Sequence, residues 1–171
     1  MNIFLTGDIN IGKSTVIDKV IKKTKYNKKD IKGFKTRALL EKEKVIGFYI
    51  DPINYKKVDM SKRIIGKEVN DRWIGITKNF EEYGFNLVKD IINSKEKLVV
   101  LDELGFFENK AVKFQDSIHK LLSSNKLILG VIKPVQIPFM DSIRERKDVE
   151  VFAVSKYNRG DLPEKIYKRI K

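Results

Sequence analysis

Residues 1–20 read MNIFLTGDINIGKSTVIDKV, and the fold follows from how this stretch is read. Asn2 to Thr6 is a short run rich in apolar residues, the length of a buried strand. It breaks at Gly7. The next eight residues, Gly7-Asp8-Ile9-Asn10-Ile11-Gly12-Lys13-Ser14, fit G-x-x-x-x-G-K-[ST] at every fixed position. From Thr15 the pattern becomes helical, with Val16, Ile17, Val20 and Ile21 on one side of a 3.6-residue period. Strand, glycine-bounded loop and helix in this order predict a loop that cradles phosphate.

The residue types suit that chemistry. A triphosphate needs many donors at close range. Gly7 and Gly12 have no Cβ, so backbone N–H groups can turn inward. The helix start adds unpaired N–H groups and the positive end of its dipole. Lys13 can reach the β- and γ-phosphates as a point charge, and the Ser14 hydroxyl can ligate Mg²⁺. Thr15 is expected to support the helix start, Asp8 to point to solvent, and Asn10 to take a left-handed φ.

Composition narrows the alternatives. The 171 residues suffice for one domain with a real core. No apolar run approaches the ~18 residues of a membrane span, and no basic-then-apolar leader opens the chain. Cysteine is absent, which excludes disulfides and thiolate metal sites and fits a cytoplasmic location. A single histidine, His119, argues against a zinc or histidine acid–base site. Net charge is +13, which would suit a polyanion. Only seven of the 36 basic residues are Arg, however. The densest patch (Lys19, Lys22, Lys23, Lys25, Lys28, Lys29 and Lys32) lacks interleaved aromatics for base stacking. A solvated lysine-rich surface is its simpler reading.

Beyond the first helix, expected to end near Thr24 or Lys25, residues 26–32 read as a polar connection. Gly33–Arg37 and Lys44–Ile50 read as strands, Asp51-Pro52-Ile53-Asn54 as a turn, and Tyr55–Met60 as a hairpin partner. Ser61–Thr77 reads as loop with marginal strand. Asn79–Asn93 is helical, with Phe80, Tyr83, Phe85, Leu87, Val88, Ile91 and Ile92 supplying a wide apolar face. Leu98–Leu101 is a strand; a helix carrying Val112, Phe114, Ile118, Leu121 and Leu122 inside follows. Leu127–Ile132 is a strand, Phe139–Arg146 a short helix and Val149–Val154 the last strand. Asp161-Leu162-Pro163-Glu164 reads as a capping box opening the final helix. Doubly apolar strands alternating with amphipathic helices predict an α/β fold, a mostly parallel sheet covered on both sides. Residues 33–77 are expected as a small antiparallel insertion at its edge, within one domain spanning 1–171.

A second site is legible in Leu98–Gly105, LVVLDELG. Two carboxylates at the C-terminal end of a buried strand lie where open α/β sheets place ligands. Asp102 would hold Mg²⁺ with Ser14, and Glu103 would orient or deprotonate the attacking water. Neighbours on an ideal strand face opposite ways, so the strand end must curl for Glu103 to reach the γ-phosphate side.

With both sites placed, the chain resembles, nearly end to end, the small P-loop nucleoside-triphosphatases whose human member is called cancer-related. The matching stretches are Gly7–Ser14; Gly33-Phe34-Lys35-Thr36 with Gly47-Phe48; Leu98–Gly105; Phe139-Met140-Asp141-Ser142-Ile143-Arg144; and Asn158-Arg159. The resemblance implies a RecA-like parallel sheet and slow, Mg²⁺-dependent hydrolysis of ATP, GTP and other nucleoside triphosphates. It implies the same roles for Lys13, Ser14, Asp102 and Glu103. This chain departs from the family pattern at Ile9-Asn10, where Pro-Gly is usual. It departs again at Ala38 and Leu40, near which the family places Glu and Arg.

For a cation near the phosphates or the base, the sequence offers Arg37, Lys133, Arg144, Arg146 and Arg159. Arg159 is favoured because it follows the last strand, where P-loop proteins often hold the base, and Lys133 comes second. Trp73 and Tyr83 read as packing residues rather than base platforms. Two other functions stay open. One is a small-molecule kinase with a nucleoside or nucleotide acceptor. The other is a nucleotide-dependent RNA- or DNA-binding protein.

Overall fold

Along β1 (Asn2–Thr6) the side chains alternate between two cores: Ile3 and Leu5 pack on one face of the sheet, Phe4 on the other. The computed structural model describes residues 1–56 and 58–171. After β1 come α1 (Lys13–Lys23), β2 (Ile31–Glu41), β3 (Lys44–Ile53), α2 (Met60–Arg63), β4 (Ile64–Val69) and β5 (Arg72–Gly75). A helical stretch follows: α3 (Thr77–Asn79), a π-helical turn (Phe80–Gly84) and α4 (Phe85–Asn93). The chain ends with β6 (Leu98–Leu104), α5 (Val112–Leu122), β7 (Leu127–Ile132), α6 (Pro138–Arg144), β8 (Val149–Ala153) and α7 (Leu162–Ile170).

The described strands form one eight-stranded sheet in the order β5-β4-β3-β2-β6-β7-β1-β8. From β2 to β8 every pairing is parallel; from β2 to β5 every pairing is antiparallel. Val16, Ile17 and Val20 of α1 and Leu162 and Ile166 of α7 cover the Ile3/Leu5 face. Phe114, Ile118, Leu121 and Leu122 of α5, with α4 and α6, cover the Phe4 face. The α/β, mostly parallel sheet expected from the strand pattern is present, as is the RecA-like arrangement that the resemblance implied. Because β1, β7 and β6 are neighbours and parallel, the C-terminal ends of β1 and β6 lie on one edge of the sheet with β7 between them.

Several boundaries differ from expectation for identifiable reasons. β2 is about twice the expected length, since Ile31–Lys35 pair parallel with β6 on one side while Gly33–Glu41 run antiparallel to β3 on the other. The segment 33–77 thus lies at one edge of the sheet and is antiparallel, as expected, and it is rooted in the main sheet through β2. Pro52 lies inside β3, tolerated because β4 pairs only with Gly47–Tyr49 and asks no N–H of it. The turn comes after it, at Asn54 with φ 55°. The hairpin partner expected over 55–60 includes Lys57, outside the described residues. Asp59 instead accepts from Ser61 N at 2.7 Å and caps α2, and the returning strands are β4 and β5, where a loop was expected.

Val112 is 62% exposed rather than inside; Ala111, one residue earlier, is the buried one. No capping box forms at Asp161, because the Glu164 carboxylate accepts from Lys23 Nζ at 2.8 Å instead of reaching back. Among the described residues no helix is long and apolar enough to cross a membrane.

Candidate functional site

The turn between β1 and α1 is built on three positive-φ residues: Gly7 (135°), Asn10 (60°) and Gly12 (104°). Gly7 also has no room for a side chain, since a Cβ there would sit 2.7 Å from the Val154 carbonyl at the end of β8. Gly12 is needed for its φ alone: the nearest atom to a Cβ, Arg159 Cδ, lies at 3.9 Å. Ile11 turns into the core and pins the loop, while Asp8 and Ile9 are exposed, Asp8 as expected. Lys13 is folded back over the loop, 8% exposed, and its Nζ donates to the Gly7 and Asp8 carbonyls at 2.8 and 2.7 Å. Ser14 and Thr15 follow on the exposed side of the first turn of α1. No acidic residue enters that turn to oppose an anion.

At the end of β6 the register slips. Asp102 pairs with Val131 and Leu104 with Ile132, leaving Glu103 as the extra residue of a bulge. That bulge is the curl the sequence required. Asp102 and Glu103, successive residues, both line a cavity of about 610 Å³ whose other wall is Asn10, Gly12, Lys13 and Ser14. Asp102 is largely buried, with Lys35 Nζ 3.9 Å away. Glu103 Oε1 lies 3.5 Å from Lys133 Nζ, at the end of β7. The carbonyl of Glu103 accepts from Thr36 Oγ1 at 3.0 Å, tying β2 to the bulge.

The five candidate cations separate clearly. Lys133 lines the cavity beside Glu103. Arg37 reaches it too, but its Nε is held by Asp51 at 2.6 Å. Arg144 is spent on structure, donating to the Val135 and Lys133 carbonyls at 2.9 and 2.6 Å. Arg146 pairs with Asp148 at 2.7 Å and also donates to Ser123 Oγ at 3.0 Å. Arg159 stands on the outer flank of the loop. Its Nη1 is 3.4 Å from the Ile11 carbonyl, and with Gly12, Thr15 and the exposed Tyr157 it borders a second cavity of about 460 Å³.

Trp73 packs edge-on against Phe48, with ring centroids 4.9 Å apart, and Tyr83 packs against the core. His119 bonds Ser142 Oγ at 3.0 Å, and burial, reinforced by Arg146, lowers its pKa. The exposed aromatic near the loop, Tyr157, was not singled out from the sequence, and neither was Glu108. Glu108 is fully buried beside the bulge, and burial pushes its carboxyl up to about 7. Nothing in residue type or spacing marks it apart from a surface glutamate. Thr36 carries no functional mark in the sequence beyond its place in the Gly33–Arg37 strand and in the Gly33-Phe34-Lys35-Thr36 stretch of the resemblance.

A glycine-bounded turn at the end of one parallel strand, facing a carboxylate pair at the end of the next strand but one, is the arrangement of a P-loop nucleoside-triphosphate enzyme. The comparisons agree with that class. The chain belongs to the NTPase family, whose model matches residues 2–167. It is 28% identical to the nucleoside-triphosphatase THEP1 of Thermotoga maritima, over 100% of this chain and 96% of that one. It is also 28% identical to the human cancer-related nucleoside-triphosphatase, over 94% and 92%. In fold it matches the crystal structure of THEP1 from the hyperthermophile Aquifex aeolicus, with a TM-score of 0.74, 21% identity and coverage of 100% and 99%. It likewise matches the solution structure of a human cancer-related nucleoside triphosphatase, with a TM-score of 0.73, 24% identity and coverage of 99% and 97%.

Proposed function

We propose that this enzyme hydrolyses nucleoside triphosphates, ATP and GTP among them, to the diphosphate and phosphate with water as acceptor. The observation that carries the reading is the bulge at Glu103. It brings a carboxylate into the cavity walled by Lys13 and Ser14, beside Asp102 rather than opposite it.

The loop N–H groups between Gly7 and Thr15 would grip the β- and γ-phosphates, and Lys13 would move from the Gly7 and Asp8 carbonyls to the phosphate oxygens. Glu103 accepts a proton from, or orients, the attacking water. Arg159 lies on the side where the nucleoside would emerge.

The donor set fits Mg²⁺. Ser14 Oγ and the Asp102 carboxylate are hard oxygen ligands on one cavity, and among the described residues no group of three or more His, Cys, Asp or Glu could hold a metal alone. One carboxylate, a hydroxyl and substrate phosphates are the usual company of Mg²⁺. When bound it would supply neutralisation of phosphate charge.

The test is phosphate release from ATP and GTP with Mg²⁺ and no second substrate. Glu103→Gln should bind nucleotide but lose hydrolysis by two or more orders of magnitude. Hydrolysis by that variant at the parental rate removes Glu103 from the reaction. Phosphate loss that appears only with an added nucleoside or nucleotide would make the enzyme a kinase instead.

A further inference from the structure

Behind the bulge, hidden from the main cavity, Glu108 is 2% exposed and turned back along its own loop. Both of its carboxylate oxygens accept from the backbone N–H of Gly105, at 3.2 and 3.1 Å. Its own carbonyl accepts from Gln115 Nε2 at 2.7 Å, fastening that end of the loop to α5. Gly105 is the point where this grip meets the site. The Lys133 stem lies across it, so that a Cβ on Gly105 would be 3.0 Å from Lys133 Cδ. Lys133 N also donates to the Leu104 carbonyl at 3.0 Å. A cleft of about 60 Å³ joins Glu108, Gly105, Lys133 and Glu103. The chain thus runs from Glu103 through Leu104 to the Gly105 N–H, held from behind by a buried acid.

We infer that Glu108 is a positioning residue for hydrolysis: by holding the Gly105 N–H it fixes the direction in which Glu103 and Lys133 face the phosphates. The inference rests on the hydrolytic reading of Glu103. Burying a carboxyl is expensive unless its partners repay it. A structural cap alone could be made by a surface Asp or Ser at no such cost. Here the acid holds the N–H of a residue against which the Lys133 side chain packs.

The charge state of Glu108 then bears on the reaction. The charged groups facing it are Glu103, which opposes its ionisation, and Lys133, which favours it. The other lining groups, Thr36 of β2, Phe48 of β3, Ile65 of β4 and Phe107, do not titrate. An ionised carboxylate accepts from an N–H more strongly than a neutral one. The grip therefore tightens as pH rises through about 7.

The experiment compares Glu108→Ala, Glu108→Gln and Glu103→Gln with the parent, measuring kcat, KM and Mg-nucleotide affinity from pH 6 to 8.5. Glu108→Ala should lose on the order of tenfold to a hundredfold in kcat, the scale of a misplaced catalytic group, with affinity within about threefold. Glu108→Gln keeps one acceptor oxygen and should restore most of that loss. It should also abolish any fall in kcat below pH 7 that the parent shows. An active Glu108→Ala beside an inactive Glu103→Gln overturns the positioning role and leaves the hydrolytic reading intact. If Glu108→Ala does not fold, an unchanged pH profile in Glu108→Gln overturns it instead. Parental hydrolysis by Glu103→Gln sinks the hydrolytic reading itself.

Discussion

Gly33 is a residue at which one methyl group should be felt throughout the molecule. Its φ is 136°, and a Cβ there would lie 1.9 Å from the Val100 carbonyl on β6. Neither backbone can retreat, because β2 and β6 are paired from Ile31 to Lys35. Gly33→Ala should cost roughly 3 kcal/mol from clash and strained φ together. For a chain this long that is a fall of roughly 6–12 °C in Tm, read by thermal denaturation. Glu108 supplies a prediction of opposite sign. Its folded pKa is raised to about 7, above its unfolded value, mainly by burial. Between the two values the folded chain holds a proton that the unfolded chain has lost, so this group's contribution to stability falls as pH rises. Glu108→Gln should therefore gain stability relative to the parent on going from pH 5 to pH 8. Chemical denaturation at the two pH values checks it. A constant difference between parent and variant would mean that burial does not shift this carboxyl.

The element on which the proposed hydrolysis turns is the end of β6, and it is held from two sides: by Glu108 behind, and by Thr36 Oγ1 donating to the Glu103 carbonyl at 3.0 Å from β2. Thr36→Val keeps the shape and removes the donor. It should cost about 1 kcal/mol of stability and lower kcat severalfold with KM little changed, as steady-state kinetics would show. Equal losses in kcat and in nucleotide affinity would place Thr36 on the substrate rather than on the bulge. How far this element was legible is instructive. Asp102-Glu103 after four apolar residues marked a strand tip, because burial and charge change abruptly there. The bulge left no such mark, since it is a mismatch of register between β6 and β7, a relation between segments rather than a property of one. The shape of the loop between β1 and α1 was legible almost whole, because Gly7, Asn10 and Gly12 answer to local φ. β4 and β5 were not: at six and four residues, with Lys67, Glu68 and Arg72 among them, they carry too little apolar pattern to outweigh a loop reading. Glu108 was hidden for a related reason, because burial of a lone acid is decided by what packs over it.

At the scale of the whole molecule, the proposed ligand spans strands that meet only through β7. The loop follows β1 and the carboxylates end β6, so phosphate and metal together would bridge two elements separated by one strand. Binding to the folded chain alone stabilises it by about 2.7 kcal/mol at a hundredfold excess over Kd. At roughly 2–4 °C per kcal/mol for a chain of this length, Mg-nucleotide should raise Tm by roughly 5–10 °C. On the proposed reading, the polar groups that line the cavity, Lys13, Ser14, Asp102 and Lys133, would serve phosphate and metal rather than a base. Inorganic tripolyphosphate with Mg²⁺ should therefore reproduce most of the shift, and adenosine alone almost none. Asp102→Asn should remove the part that depends on Mg²⁺ while leaving the tripolyphosphate shift in EDTA in place, because the loop and Lys13 still hold the anion. A shift with adenosine as large as with tripolyphosphate would put the dominant contacts on the Tyr157–Arg159 flank. The cavity between the two strand ends would then be secondary.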